Sequence, residues 1–399
     1  MPEPKKYSVF LSAAEPSADA YCAGLINAMK TNADNINFVG VGGPKMAQAG
    51  CDLLEITTGK AAMIYKAFAH VARFYGLIRR LQRYLNTNRV DLVIVCDSPA
   101  FNFHLAKAAK KAGIKTLFYV APQLWAWAPW RLGKLRRRCD KLCCILPFEQ
   151  QWFVARGIDT TFVGHPMLDA LPSDLGRCEK QYADFDPKHA HFALMPGSRA
   201  AEINSLWPPM QQIALRLKNK YPQAAFAAVA VDDEKRRMLE SAQLPDFQCE
   251  YTVDDVTGAA ARADFAIVAS GSATLQVASV GCPMLVIYQS SRILWHLVGR
   301  WLIRTEHLAL VNILAGKRLV PEFMPCFSSV EPIVKTIEQL IEDKTRLTEL
   351  SAELVQLTAT LKTPSASENV ARTARQMLAS QEAAVGTSLN NGLLESLQQ

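Results

Sequence analysis

Five stretches in the first 150 residues are short, nearly unbroken apolar runs: YSVFLSA (7–13), INFVGVGG (36–43), DLVIVCD (91–97), TLFYVAP (116–122) and KLCCILPF (141–148). A strand with one wet face alternates apolar and polar residues, whereas a run without alternation must be covered on both faces. Helical patterns separate the runs, over Asp19 to Lys30 and over about 102–112. Strand–helix–strand repetition of this kind builds a parallel sheet with helices on both sides. The polar stretch ALPSDLGRCEKQYADFDPKHAH (170–191) interrupts the pattern. Alternation then restarts with FALMPGSR (192–199), AAFAAVAV (224–231), FQCEYTV (247–253), ADFAIVAS (263–270) and PMLVIYQ (283–289).

The expected fold class is therefore α/β, with two doubly wound, Rossmann-like parallel-sheet domains facing a cleft. The expected boundaries are 1–169 and 187–360. A helix over 361–380 is expected to pack back on the first domain or on a partner chain of a homodimer, and 381–399 to be a frayed tail. The 399 residues are 50% hydrophobic and 20% charged, enough to bury a large core and too apolar for a disordered chain. The net charge of +7 is too small to imply nucleic acid, but it suits a phosphate-bearing ligand or an anionic lipid surface. No export signal and no membrane-spanning segment is expected. The ten cysteines follow no framework and the seven histidines are scattered, so reduced cytoplasmic thiols and no metal site are expected.

Open α/β sheets bind ligands at strand carboxyl ends, where loops meet helix N-termini. Four such loops carry chemistry. In LMPGSRAAEI (194–203), Gly197 permits close backbone approach, Ser198 can cap the helix and Arg199 can neutralise phosphate. In ASGSATLQVASVGCP (269–283), Ser270, Gly271 and Ser272 are small residues beside a helix start, with Gln276 one turn in. In SAAEPSADAYCAG (12–24), Ser17 or Asp19 is a candidate N-cap, and Glu15 can bind a hydroxyl or take a proton. In CDSPAFNF (96–103), Asp97 follows a buried strand, a placement suited to a general base and also to an ordinary cap.

Trp125, Trp127 and Trp130 precede Arg131, Lys134, Arg136, Arg137 and Arg138, an aromatic and basic combination suited to phosphate or lipid headgroups. His165, in VGHPMLD, can touch a ligand or serve as a buried structural histidine. Residues 61–85 form a basic amphipathic candidate. Met63, Phe68 and Phe74 with Arg73, Arg79 and Arg80 are its membrane-facing candidates, a helix packed on its own sheet being the alternative.

In this order the segments resemble the lipid-A-disaccharide synthases from about residue 8 to about 325, most specifically in YVAPQLWAW and in VGHP followed by PGSR. The resemblance implies a GT-B fold and an inverting transferase. It would join UDP-2,3-diacylglucosamine to 2,3-diacylglucosamine 1-phosphate, giving the β-1,6 disaccharide 1-phosphate and UDP. It implies no metal and no cofactor. It also implies peripheral attachment to an anionic membrane surface, the inner membrane of a Gram-negative-type bacterium, and no nucleic-acid partner. Asp97, or Glu15, would deprotonate the acceptor hydroxyl. Ser198 and Arg199 would grip the diphosphate, and Ser272, Gln276 and Asn312 would line the nucleotide pocket. Trp125 would lie near the acceptor, and Ser17, Asp19 and His165 would join the substrate contacts. Where the family pattern has glycines this chain has Ala14 and Ala18, and it has Ala100 and Gln276 where acidic residues are usual. A UDP-sugar epimerase, a transferase with another acceptor and a non-catalytic nucleotide-sugar or lipid binder are the competing readings.

Overall fold

The computed structural model describes residues 7–31, 35–58, 69–170, 179–290, 305–363 and 365–380. They form two compact units, one within Met1–Asp169 joined by the segment from Lys362, the other within Ala170–Leu361.

The first unit runs β1 (Tyr7–Ala13), α1 (Pro16–Lys30), β2 (Ile36–Gly42), α2 (Pro44–Gln48), β3 (Asp52–Ile56), α3 (Ala69–Thr87), β4 (Leu92–Cys96), α4 (Pro99–Lys111), β5 (Lys115–Tyr119), α5 (Leu124–Trp127), α6 (Leu132–Arg138), β6 (Lys141–Cys144), α7 (Pro147–Val154) and β7 (Thr160–Phe162). All seven strands are parallel, in the order β3-β2-β1-β4-β5-β6-β7. β4 shows why its sequence does not alternate. Leu92, Ile94 and Cys96 pack with Leu25 and Ile26 of α1 on one face. Val93 and Val95 pack with Phe103 and Leu105 of α4 on the other. Each fully buried aliphatic side chain contributes roughly 1.5–3 kcal/mol. β3 and β7, which the apolar runs do not mark, are short outer strands with half-exposed residues.

A helix over 366–380 completes this unit. Its N-terminus is capped by Asp169, whose carboxylate accepts from Ala366 N (2.9 Å) and Ser367 N (2.8 Å). Arg375 donates to the carbonyls of Ala28 and Met29 at the end of α1, at 2.9 and 3.1 Å. Val370, Ala371 and Ala374 are buried in the same core as α1.

The second unit runs β8 (His191–Met195), α8 (Ala200–Lys220), β9 (Ala225–Ala230), α9 (Asp233–Ser241), β10 (Glu250–Val253), α10 (Val256–Arg262), β11 (Phe265–Ala269), α11 (Ala273–Ser279), β12 (Met284–Ile287) and β13 (Glu322–Phe323). Its six parallel strands follow the order β10-β9-β8-β11-β12-β13. This unit takes in residues well before 187. Lys180 donates to the α10 carbonyls of Ala260 (3.0 Å) and Ala261 (2.8 Å), and Tyr182 is buried with its hydroxyl on the Asp264 carbonyl. A lysine on the last carbonyls of a helix satisfies acceptors that have no partner within the helix.

Among the described residues no helix is long and apolar enough to cross a membrane. The nine described cysteines form no disulfide. Burial pushes the thiols of Cys143 and Cys282 up to about 12, so both stay protonated at neutral pH.

Candidate active site

In each sheet the strand order reverses once, at β1/β4 and at β8/β11, and ligands of open α/β sheets sit outside the carboxyl ends at that point. At the first reversal Ala13 pairs with Cys96, so Glu15 and Asp97 follow adjacent strand ends. Glu15, not Ser17 or Asp19, is the N-cap position of α1, which begins at Pro16. Asp97 and Ser98 both take left-handed backbone, with φ of 52° and 42°. Val120, after the neighbouring β5, does the same at 64°, and a β-branched residue there is an outlier. Such conformations cost roughly 1–3 kcal/mol each and gather where function requires them.

The strained turn is held from behind. Asn102, buried in α4, donates through Nδ2 to the carbonyls of Cys96 (2.8 Å) and Asp97 (2.7 Å). Its Oδ1 accepts from Ser12 Oγ of β1 at 2.7 Å. Asp97 N donates to the Tyr119 carbonyl at 2.9 Å. Ser98 Oγ is buried with no hydrogen-bond partner among the described residues. Ala14 and Ala18 are absent from the positive-φ positions, so alanine fits both without strain.

Other first-unit candidates have structural work. Asp19 is buried, and its carboxylate accepts from Gly43 N (2.9 Å), Lys45 N (3.0 Å) and Met46 N (3.0 Å) at the start of α2. A Cβ on Gly43 would lie 2.6 Å from Asp19 Oδ2. The Asp19 carboxylate therefore caps α2. Ser17 is half-buried in the first turn of α1. His165 is buried, its Nδ1 accepts from Met167 N, and burial lowers it to about 4, so it is neutral at pH 7. Trp125 is half-buried beyond β5, donating from Nε1 to Glu149 Oε1 at 2.9 Å.

At the second reversal Met195 pairs with Val268, which brings the turns after β8 and β11 side by side. Gly197 has φ of 107°, and a Cβ there would lie 2.5 Å from Glu202 Oε2. Arg199, not Ser198, is the N-cap position of α8. Glu202 Oε2 accepts from Ser198 N (3.1 Å) and Arg199 N (3.2 Å), and Oε1 accepts from Arg199 Nη1 (3.2 Å). The side chains of Ser198 and Arg199 remain exposed. Ser270 N donates to the Ile287 carbonyl (3.1 Å), Gly271 and Ser272 are exposed, and Gln276 is half-buried in α11. Its chain neighbours aside, no heavy atom among the described residues lies within 4 Å of a Cβ on Gly271, so this turn has room beside it.

Asn312 departs from the expected pocket lining. It is wholly buried, bonded through Nδ2 to the Val320 carbonyl (2.9 Å) and Glu322 Oε2 (3.1 Å), and through Oδ1 to Val320 N (2.9 Å). Glu322 also accepts from Ala309 N at 2.8 Å, which ties β13 to the helix Leu310–Ala315.

Of the membrane-facing candidates, Met63 and Phe68 and the side chain of Arg73 lie outside the described residues. Phe74 is half-buried, edge-on to Phe101 and His104 at 5.7 Å, because α3 packs on α4. Arg79 and Arg80 are exposed, and Arg80 pairs with Glu55 at 2.6 Å.

Asn102, Glu149, Glu202 and Glu322 are the residues that sequence reading passed over. Glu202 was legible, since it stands three residues after a helix cap, the spacing of a reciprocal cap. Asn102 is a polar residue between two phenylalanines, in FNF, and that placement is its one signal in the sequence.

Two doubly wound units with loop chemistry at both sheet reversals define the GT-B class. Solved structures with this fold include a UDP-GlcNAc 2-epimerase from Neisseria meningitidis bound to UDP-GlcNAc. It has a TM-score of 0.59 at 14% identity and covers 94% of this chain and 99% of its own. MurG from Acinetobacter baumannii has a TM-score of 0.55 at 16% identity, covering 93% and 99%. Within that class, the family model described as lipid-A-disaccharide synthetase matches residues 9–377, and the chain belongs to this family. The lipid-A-disaccharide synthase of Geobacter sulfurreducens is 32% identical over 388 residues, 96% of this chain and 100% of that protein. That of Syntrophus aciditrophicus is 35% identical over 333 residues, covering 82% and 87%. The protein is a glycosyltransferase of lipid A biosynthesis.

Proposed function

We propose that this glycosyltransferase transfers the 2,3-diacylglucosaminyl group of its UDP carrier to 2,3-diacylglucosamine 1-phosphate. The acceptor's 6-hydroxyl oxygen attacks the donor's anomeric carbon, its proton passes to Asp97, and the bond to UDP breaks with inversion. The observation that carries this reading is the left-handed Asp97–Ser98 turn at the β1/β4 reversal, held by Asn102. Strain maintained beside a carboxylate favours a positioned base over a loop residue. Glu15, after the adjacent strand, orients the acceptor, with Ser17 and Trp125 as further contacts. Ser198 and Arg199 hold the diphosphate, and Arg199 offsets the charge that develops on departing UDP. Ser270, Gly271, Ser272 and Gln276 contact the nucleotide. Asn312 serves it by fixing the helix Leu310–Ala315. No cofactor takes part.

Acylated substrates require a lipid surface, and the segments after β5 and β6 suit one. Trp130 and Val154 are 59% and 52% exposed. Arg131 lies over the Trp127 ring (5.0 Å) and Arg156 over the Trp152 ring (4.0 Å), presenting cations beside aromatic rings. This face docks on the anionic cytoplasmic surface of the inner membrane.

UDP release tests the reading. It should require both diacylglucosamine substrates and stop when either is omitted. Conversion of water-soluble UDP-N-acetylglucosamine alone to another UDP-sugar would favour an epimerase, and UDP release only with a different sugar alcohol would favour another acceptor. UDP binding without turnover under any pairing would leave a non-catalytic binder.

A further inference from the structure

Glu149 is the third residue of α7 and is 1% exposed. Its Oε1 accepts from the Trp125 indole at 2.9 Å and its Oε2 from Leu146 N at 3.1 Å. No cation pairs with it among the described residues. A buried carboxylate without a counter-charge is a costly way to cap a helix that an exposed serine or aspartate could cap. What it adds is a fixed indole: Phe148, its chain neighbour, meets the Trp125 ring edge-on at 5.0 Å and 82°.

Sheet order gives that indole its place. β4, β5 and β6 are adjacent, and their carboxyl ends carry Asp97, the Val120–Trp127 segment and the Phe148–Glu149 pair in turn. The segment leaves β5 through left-handed Val120, and Asp97 N is bonded to the Tyr119 carbonyl just before it. Trp125 therefore hangs one strand over from Asp97, held by α7, the helix that follows the strand beyond.

We propose that Glu149 is a positioning residue that sets the Trp125 indole as the apolar wall of the acceptor subsite. It touches neither substrate nor reacting atoms, and the inference rests on the reading that the first unit takes the acceptor. A carboxyl group with two oxygens is required because the indole N–H converges on one and the backbone N–H of Leu146 on the other. A glutamine has one carbonyl oxygen, so either the indole N–H or Leu146 N–H would face an NH2 group.

The test uses full-length E149Q, W125F and the double variant in UDP-release kinetics, varying each substrate separately. The expected result for E149Q is an acceptor KM raised about tenfold, with kcat and donor KM within about twofold of wild type. W125F should do the same, and the double variant should be no worse than W125F alone, because both remove one interaction. The Trp125 fluorescence, taken as the difference from W125F, should shift in E149Q. An unchanged acceptor KM in W125F overturns the inference, even if E149Q fails to fold. Losses shared by kcat and both KM values also overturn it, since they mark a structural cap only. If wild type releases no UDP with both substrates, the functional reading fails first; normal wild-type turnover with unaffected variants defeats this inference alone.

Discussion

One amide of Asn102 holds two consecutive carbonyls, those of Cys96 and Asp97, at 2.8 and 2.7 Å. The contact fixes the last strand residue and the first left-handed residue together, so the turn cannot relax without breaking a buried bond. Asn102→Ala leaves both carbonyls and the Ser12 hydroxyl without this partner. Unfolding free energy should fall by about 1–3 kcal/mol, measured in urea. The rate kcat should fall at least about tenfold, with UDP affinity unchanged. A full-rate variant would separate the strained turn from the chemistry.

Two buried groups make opposite contributions to stability across mildly acid pH. Burial raises Glu149 from 4.5 to about 7. Its contribution is complete below 4.5 and is lost as pH rises through about 7. Burial lowers His165 from 6.5 to about 4. Its contribution is complete above 6.5 and is lost as pH falls through about 4. Each spans about 3 kcal/mol, and the two offset each other between pH 4.5 and 6.5. Relative to wild type, E149Q should therefore lose stability on acidification from pH 6.5 to 4.5, and H165N should gain it from pH 7 to 4.5. Parallel urea curves for all three proteins across this range would refute the assignment.

Gly197→Ala places a Cβ 2.5 Å from Glu202 Oε2 at a φ of 107°. Either the Glu202 cap on Ser198 N and Arg199 N or the turn itself must move. UDP affinity by calorimetry should drop at least about tenfold. Retained affinity would mean that the nucleotide does not use this turn.

The Trp130 face should bind vesicles containing anionic phosphatidylglycerol in low salt and release them in high salt. W130S with R131Q should weaken co-sedimentation while lowering unfolding free energy by no more than about 1 kcal/mol, since Trp130 is exposed and only the Arg131–Trp127 contact is lost. Binding that ignores salt, or survives the double substitution, would contradict this docking surface.

Most of the fold was legible because fully buried strands such as LVIVC declare themselves by lack of alternation. β3, β7 and β13 were not, since short outer strands bury little and leave a weak pattern. The loops of the candidate site were legible by position after apolar runs. What Asp19 and Asn312 do was hidden, because their partners lie on other elements, α2 and β13. Glu149 looked like an ordinary acidic residue at a helix start until its indole partner, 24 residues earlier, could be seen. The left-handed backbone at Asp97 and Val120 has no composition cue, since neither is glycine.

Turnover by Asp97→Asn, set beside its UDP affinity, tests the central claim most directly. An amide keeps the shape of the carboxylate and cannot accept the acceptor's proton. The account predicts UDP release at least a hundredfold slower than wild type with UDP affinity within about twofold. Release at the wild-type rate would contradict it.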